Sequence, residues 1–471
     1  MEIIHVSAEC YPVAKAGGLG DVVGALPKYQ NKLGHTAKVV MPMFRTKFLY
    51  ENEWDVIHED YQYLAGHQFK YAIIKEKTDK LGFEVYLVDI HGLLDREKLY
   101  GYGDDTQRWI GFQTAVCDWF SKWDHKPDVV HCHDHQAGFV PFMMAHCHAF
   151  NHLATVPTVF TIHNGEYQGQ FAWDRSYLLP SYDTYQWGKL DWQNLINPMA
   201  SGIKCAWRVT TVSPSYLEEM RYSAAGLEAL MNYEQGKCAG ILNGIDTDVW
   251  NPATDKFIVK NYDEKVVKEG KRKNKKELCD IYGLDPDKPL VVFIGRLVGE
   301  KAADVLPDAI RSSIHHHHGN VNFLILGSGD HHIEGRLEEV KHQLSGYMNT
   351  YIGYNESLGH LIYAGADFLL MPSRVEPCGL NQMYALRYGT VPMVRSTGGL
   401  KDTVKDFGDW QGYGIRFNHA NVEDITHGVG RAIDLYYNKR DLYNWMRSYM
   451  MNIDNSWEHS AQEYLNLYKS I

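Results

Sequence analysis

A chain of 471 residues is too long for one ordinary hydrophobic core; at roughly 150 residues per domain it allows two large domains or three smaller ones. Apolar residues make up 45% and charged ones 22%, and 47 basic against 58 acidic side chains leave a net charge of −11, a globular composition that does not suit a nucleic-acid partner. Eight cysteines without a CxxC pair read as reduced thiols, no run reaches the roughly 18 apolar residues that span a membrane, and the start Met-Glu-Ile-Ile-His-Val lacks a signal-peptide pattern, so a cytoplasmic protein with no membrane partner is expected.

In chain order, short apolar β-branched runs alternate with stretches of helical period. Predicted strands in the first half are 3–6, 37–41, 83–88, 128–131, 158–162 and 209–212; in the second they are 290–294, 321–326, 366–371, 391–394 and 414–417. Continuously apolar strands are buried on both faces, which means parallel sheets covered by helices. The expected class is α/β, with two doubly wound, Rossmann-like domains. Asn243-Gly244-Ile245-Asp246 and Asn251-Pro252 punctuate the chain and divide it into domains 1–242 and 243–455. A polar segment, 253–287, follows; its basic run Lys271-Arg272-Lys273-Asn274-Lys275-Lys276 reads as a solvated helix face.

The motifs sit just after these strands. Lys15-Ala16-Gly17-Gly18-Leu19-Gly20-Asp21 opens a helix on which Leu19, Val22, Val23 and Leu26 share one face, with Pro27 expected to kink it. Backbone N–H groups at a glycine-rich helix start form an anion site, and Lys15 adds a full charge, although this is not the GxGxxG dinucleotide pattern and a plain tight turn reads equally well. His133-Asp134-His135 and His163-Asn164-Gly165 place polar groups at two strand ends. Gly295-Arg296-Leu297-Val298-Gly299-Glu300-Lys301 puts two cations on one post-strand loop, a fork and a point charge suited to a diphosphate, or else to ordinary surface ion pairs. Ser373-Arg374-Val375-Glu376-Pro377-Cys378-Gly379-Leu380-Asn381 offers an acid to hold sugar hydroxyls before a helix start; Cys378 has no local base to make it a nucleophile. Gly398-Gly399-Leu400-Lys401-Asp402 echoes the first glycine loop in the second half. The histidine-rich spots 146–148, 315–318 and 331–332 show neither HExxH nor a zinc spacing, so no metal is expected.

Taken in order over essentially the whole chain, segments 15–21, 131–138, 161–169, 243–246, 296–301, 376–382 and 397–400 resemble the bacterial glycogen synthase and plant starch synthase family, retaining glucosyltransferases of the GT-B fold. The resemblance implies two domains facing across a cleft that closes by a hinge motion, a sugar-nucleotide donor (ADP-glucose or UDP-glucose), an α-glucan acceptor and no cofactor. It implies that Lys15 and Gly18 approach the donor phosphates, with Gly17, Asp21 and Asn243 in the same nucleotide-sugar site. Arg296 and Lys301 would stabilise the leaving diphosphate, Glu376 and the backbone of Cys378, Gly379 and Leu380 would hold the glucose, and Tyr354 would stack on the base. His163 and Asp134 would lie on the sugar and acceptor side, and 456–471 would be a helix crossing back to the first domain. Three departures bear on donor and acceptor preference: Glu300-Lys301-Ala302 where the family usually has Gln-Lys-Gly, Gly165-Glu166 in place of Leu-Ala, and Leu94 in place of an aromatic.

The implied chemistry is metal-free transfer with retention, the acceptor 4-hydroxyl attacking on the face the diphosphate leaves. Two other readings compete. An α-glucan hydrolase needs two carboxylates, about 5–5.5 Å apart for retention or about 6.5–9.5 Å for inversion, and Glu376 has no local second acid. A nonenzymatic glucan-binding protein would use the 13% aromatic residues for sugar stacking, which aromatic cores explain equally well.

Overall fold

The computed structural model describes residues 1–78 and 80–471. It divides into two compact units, Met1–Asn243 with Trp457–Ile471, and Gly244–Ser456. In the first unit the strands are β1 (Glu2–Val6), β2 (Thr36–Pro42), β3 (Trp54–Leu64), β4 (His67–Glu76), β5 (Glu84–Asp89), β6 (Val129–His133), β7 (Thr158–Ile162), β8 (Asp191–Trp192), β9 (Leu195–Ile196), β10 (Arg208–Thr211) and β11 (Cys238–Gly240). Among the described residues, nine of them form one sheet in the order β11-β10-β7-β6-β1-β2-β5-β4-β3, while β8 and β9 pair separately. The sheet is parallel from β11 to β5, and β4 and β3 extend its edge antiparallel.

The second unit contributes β12 (Leu290–Ile294), β13 (Asn322–Gly327), β14 (Met348–Ile352), β15 (Phe368–Met371), β16 (Val391–Arg395) and β17 (Ile415–Phe417). These form a fully parallel sheet in the order β14-β13-β12-β15-β16-β17. Successive side chains point to opposite faces of a strand, and the core divides accordingly. Val291, Phe293, Phe323, Ile325 and Leu370 pack into one hydrophobic layer, and Leu290, Val292, Leu324, Leu326 and Leu369 into the other. Both units are thus α/β and doubly wound, as the apolar runs predict. The hairpin β3–β4 is the addition: its strands are half-exposed and polar, so they lack the continuous apolar signal of the rest.

In the first unit the helix Gly18–Lys32 runs unbroken through Pro27 and buries Val22, Leu26 and Tyr29 against Ile3, Val129 and Val159. The helix Trp457–Tyr468 closes the same layer with Trp457, Ala461, Tyr464, Leu465 and Tyr468, whose spacing makes one helical stripe. Burial of each large apolar side chain is worth roughly 1.5–3 kcal/mol as an upper estimate. Among the described residues, no helix is long and apolar enough to cross a membrane.

The basic run is not a solvated face. It lies on the helix Val267–Tyr282, whose inward stripe includes Lys271, Asn274 and Lys275 alongside Leu278 and Cys279. Lys271 Nζ donates to the carbonyls of Tyr363, Ala364 and Tyr388 and to Thr390 Oγ1, and burial pushes its pKa well down. Lys275 pairs with Asp367 at 2.7 Å inside the core. Only Arg272, Lys273 and Lys276 of the run face solvent.

Candidate active site

In open α/β sheets, ligands bind beyond the carboxyl ends of the strands where the winding reverses. In the first sheet that reversal falls between β1 and β6; in the second it falls between β12 and β15. The loop after β1 carries Lys15, and β6 delivers Asp134 and its neighbour β7 His163. The loop after β12 carries Arg296 and Lys301, and the loop after β15 carries Glu376. Within each unit, therefore, these predicted residues lie at or next to the reversal point, whereas Asn243 follows the edge strand β11 and Tyr354 the edge strand β14.

In the first unit the glycine loop is held from below. Glu9, 4% exposed, accepts from the backbone N–H of Ala16 at 2.7 Å and of Gly17 at 2.9 Å through one oxygen, while its other oxygen accepts from Tyr100 Oη at 2.6 Å. Two of the loop amides expected to meet an anion are thus already engaged by a carboxylate. The helix begins at Gly18, and a Cβ added at Gly17 or Gly18 would meet nothing within 4 Å, so neither glycine is required by the protein's own packing. Lys15 Nζ lies 2.6 Å from Asp21 Oδ1; burial raises the Asp21 pKa and Lys15 opposes that rise.

Asp134 has a backbone φ of 55° and ψ of −177°, a sparsely populated region for a residue with a side chain. Its Oδ1 accepts from the His163 N–H at 2.7 Å. Burial raises the carboxyl to about 7, against the N–H donors of His163 and Asn164 that pull it down. His163, 8% exposed, is pushed down to about 3 by burial, and its Nε2 lies 3.0 Å from His133 Nδ1. β6 runs to His133, two residues beyond the predicted end, which is what brings that ring beneath His163. Gly165 N–H donates to Tyr216 Oη at 2.9 Å, whereas Glu166 is exposed. Asn243 is 7% exposed, and its Oδ1 is buried without a hydrogen-bond partner among the described residues.

In the second unit Lys301 Nζ lies 2.6 Å from Glu376 Oε2, which also accepts from Ser373 Oγ at 2.9 Å. Arg296 pairs instead with Glu300 at 3.1 Å. Each cation of the loop therefore has its own carboxylate, and Glu300, one of the departures, supplies one of them. Ala302 adopts φ 53°, the left-handed region, at the end of this turn. The carbonyls of Glu376 and Pro377 accept from Gly399 N–H, and those of Cys378 and Gly379 accept from Gln382 Nε2. A Cβ at Gly398 or Gly399 would fall 2.0 Å from Glu376 O or 2.1 Å from Cys378 O, so this pair exists to let the two loops touch. The two glycine pairs, an echo in sequence, are thus used differently: one faces open space and the other is packed tight. Cys378 is buried, Gly379 adopts φ 76°, and Leu380 precedes the helix Asn381–Arg387. Tyr354 stands 85% exposed beyond β14, at the far edge of the sheet.

Sequence reasoning missed Glu9, Tyr100 and His5, and it named Ser373 and His133 within their motifs without seeing that they support Glu376 and His163. A histidine inside each apolar run, His5 in β1 and His131 in β6, was the available signal, and the register sets these two side by side. His5, His131 and His133 lie close enough to suggest a metal trio. Every one of their ring nitrogens is nevertheless committed: His5 to Gln30 and His133, His133 to His5 and His163, His131 to Tyr468 and Thr161. A metal ion there would have to break these bonds.

Comparison with known proteins covers the whole chain. The family described as the starch synthase catalytic domain matches residues 2–233, and glycosyl transferases group 1 matches residues 274–447. A glycogen synthase from Flavobacterium johnsoniae is 51% identical over 471 residues, covering 100% of this chain and 99% of that protein. A glycogen synthase from Bacillus cereus is 37% identical over 481 residues, covering both chains fully at 100%. The solved catalytic domain of starch synthase IV from Arabidopsis thaliana, bound to ADP and acarbose, superposes with a TM-score of 0.87 at 32% identity over 99% of this chain and 98% of that one.

Proposed function

The chain belongs to the glycogen synthase and starch synthase family of GT-B glycosyltransferases, and from that premise we propose that it transfers glucose from ADP-glucose to the non-reducing end of an α-1,4-glucan, with retention of configuration, in the cytoplasm. The ADP held by the related starch synthase favours that nucleotide over UDP-glucose. In this reading Lys15, Gly17, Gly18, Asp21 and Asn243 serve the nucleotide sugar, and Tyr354 stacks on the base. Arg296 and Lys301 take up charge as it builds on the departing diphosphate, the largest kind of catalytic term a protein supplies. Glu376 with the turn of Cys378, Gly379 and Leu380 holds the glucose, and His163 and Asp134 serve the sugar and acceptor side.

The observation that carries this reading is the pair Lys301–Glu376 at the β12/β15 reversal, 2.6 Å apart. It sets a cation for phosphate beside an acid for sugar hydroxyls, the two needs of a nucleotide sugar. The same pair argues against hydrolysis by Glu376. One of its oxygens is taken up by Lys301 and Ser373, and a hydrolase would need a second carboxylate within about 5–9.5 Å, a role that the cation Lys301 beside it does not fill. Charge stabilisation predicts that Arg296→Ala and Lys301→Ala each lower kcat by about 10²–10³ while circular dichroism and melting remain those of a folded protein. Full turnover by either folded variant, assayed with ADP-glucose and UDP-glucose side by side, would refute the assignment.

A further inference from the structure

Behind His163 lies a chain of buried polar groups that the transfer reaction does not itself use. Gln30, on the helix Gly18–Lys32, turns its Oε1 to His5 Nε2 at 2.8 Å. His5 Nδ1 lies 3.0 Å from His133 Nε2, and His133 Nδ1 lies 3.0 Å from His163 Nε2. In the other direction Gln30 Nε2 donates to Tyr468 Oη at 3.2 Å, and Tyr468 Oη lies 2.6 Å from His131 Nδ1. His131 Nε2 then meets Thr161 Oγ1 at 2.6 Å, which meets Thr210 Oγ1 at 2.5 Å. Gln30, His5, His131 and His133 are fully buried, and Tyr468 is 2% exposed.

Burial keeps these rings neutral: His5 is lowered to about 4, and His131 and His133 are lowered well below their ordinary value. A neutral imidazole has one N–H donor and one acceptor nitrogen, so fixing one end of such a chain fixes every ring in it. With the Gln30 oxygen facing His5, His5 Nε2 carries the proton and its Nδ1 accepts. His133 Nε2 must then donate and its Nδ1 accept, which makes His163 Nε2 a donor and leaves His163 Nδ1 with a lone pair. Turning the Gln30 amide over reverses every one of these roles. In this orientation Tyr468 Oη accepts from the Gln30 NH₂ and keeps its own proton for His131 Nδ1, so turning the amide also requires the Tyr468 hydroxyl to rotate and His131 to change tautomer.

We propose that Gln30 and Tyr468 are positioning residues that hold His163 in its Nε2–H tautomer, so that Nδ1 is available to accept a hydrogen bond from a sugar hydroxyl. The inference rests on the reading of His163 as a sugar-side residue. It places a determinant of the site on the C-terminal helix Trp457–Tyr468, far along the chain from any motif.

The test is two-dimensional ¹H–¹⁵N spectroscopy of the full-length protein labelled at histidine, with His163 assigned by its loss in His163→Ala. Wild type should show His163 in the Nε2–H form alone. Gln30→Met and the milder Tyr468→Phe should show a mixture with the Nδ1–H form and a kcat about 10-fold lower or more, near the range that loss of a histidine's orienting partner costs at metal centres, with the donor KM little changed. Leu465→Ala, which removes packing from the same helix outside the chain, should leave the His163 signals as in wild type. A wild-type Nδ1–H tautomer, or variants that fold and keep the wild-type His163 signals, would overturn the proposal. A shifted tautomer with full turnover in both Tyr468→Phe and His163→Ala would support the chain and instead remove His163 from the reaction.

Discussion

Ala302 occupies the left-handed region at φ 53° and is completely buried, at a position where the family usually carries glycine. A Cβ there costs about 1–2 kcal/mol in the folded state, offset by about 0.4–1 kcal/mol because an unfolded chain with alanine has less conformational entropy to lose than one with glycine. Ala302→Gly should therefore gain between about 0 and 1.6 kcal/mol of stability. Thermal unfolding checks this; a clear loss of stability would show that the turn tolerates the methyl group without strain. Single candidate residues could be picked out where they sit in a motif just after an apolar strand, as Arg296, Lys301 and Glu376 do. Their partners could not be. Glu376 is 75 positions from Lys301, and Glu9 engages loop amides 7 and 8 positions away with no periodic pattern to announce it.

At the scale of elements, strands buried on both faces were readable almost to the residue: 158–162 and 290–294 coincide with β7 and β12. The polar hairpin β3–β4 and the half-exposed edge strand β14 were not, because a strand with a solvent-facing side lacks the continuous apolar run. The helix Val267–Tyr282 was misjudged for a related reason: long basic side chains can turn inward when carbonyls and a carboxylate wait there, as they do for Lys271 and Lys275. β1, β6 and the end of β7 also share a consequence for pH. His5, His131, His133 and His163 all have lowered pKa values in the folded state, so below about 6.5 the unfolded chain binds more protons than the native one. Stability should fall as pH drops from about 6.5 toward 4, each unbound proton contributing about 1.4 kcal/mol per pH unit. Asp134, raised to about 7, acts in the opposite sense: its contribution is present at low pH and is lost as pH rises through 7, which offsets one histidine. Urea midpoints at pH 7, 6 and 5 should decline steeply, and less steeply in His5→Gln. Midpoints independent of pH would contradict the burial argument.

For the molecule as a whole, two α/β units each set charged and polar side chains where the winding of the sheet reverses, and family membership gives the class of reaction. The second unit supplies paired charges, Lys301 with Glu376 and Arg296 with Glu300; the first supplies a glycine loop braced by Glu9 and a histidine braced from its own interior. The class of reaction was legible because several motifs occur in order along the chain. The bracing was not, because it is built from contacts between strands and helices far apart in sequence. The central claim is that glucose leaves a nucleoside diphosphate and joins a glucan with its α-configuration kept. Proton NMR of a reaction with ADP-glucose and a malto-oligosaccharide tests it directly: α-1,4 anomeric signals should grow in step with ADP release, one linkage for each ADP. A β-linked product, or glucose freed from the oligosaccharide with ADP-glucose untouched, would contradict it.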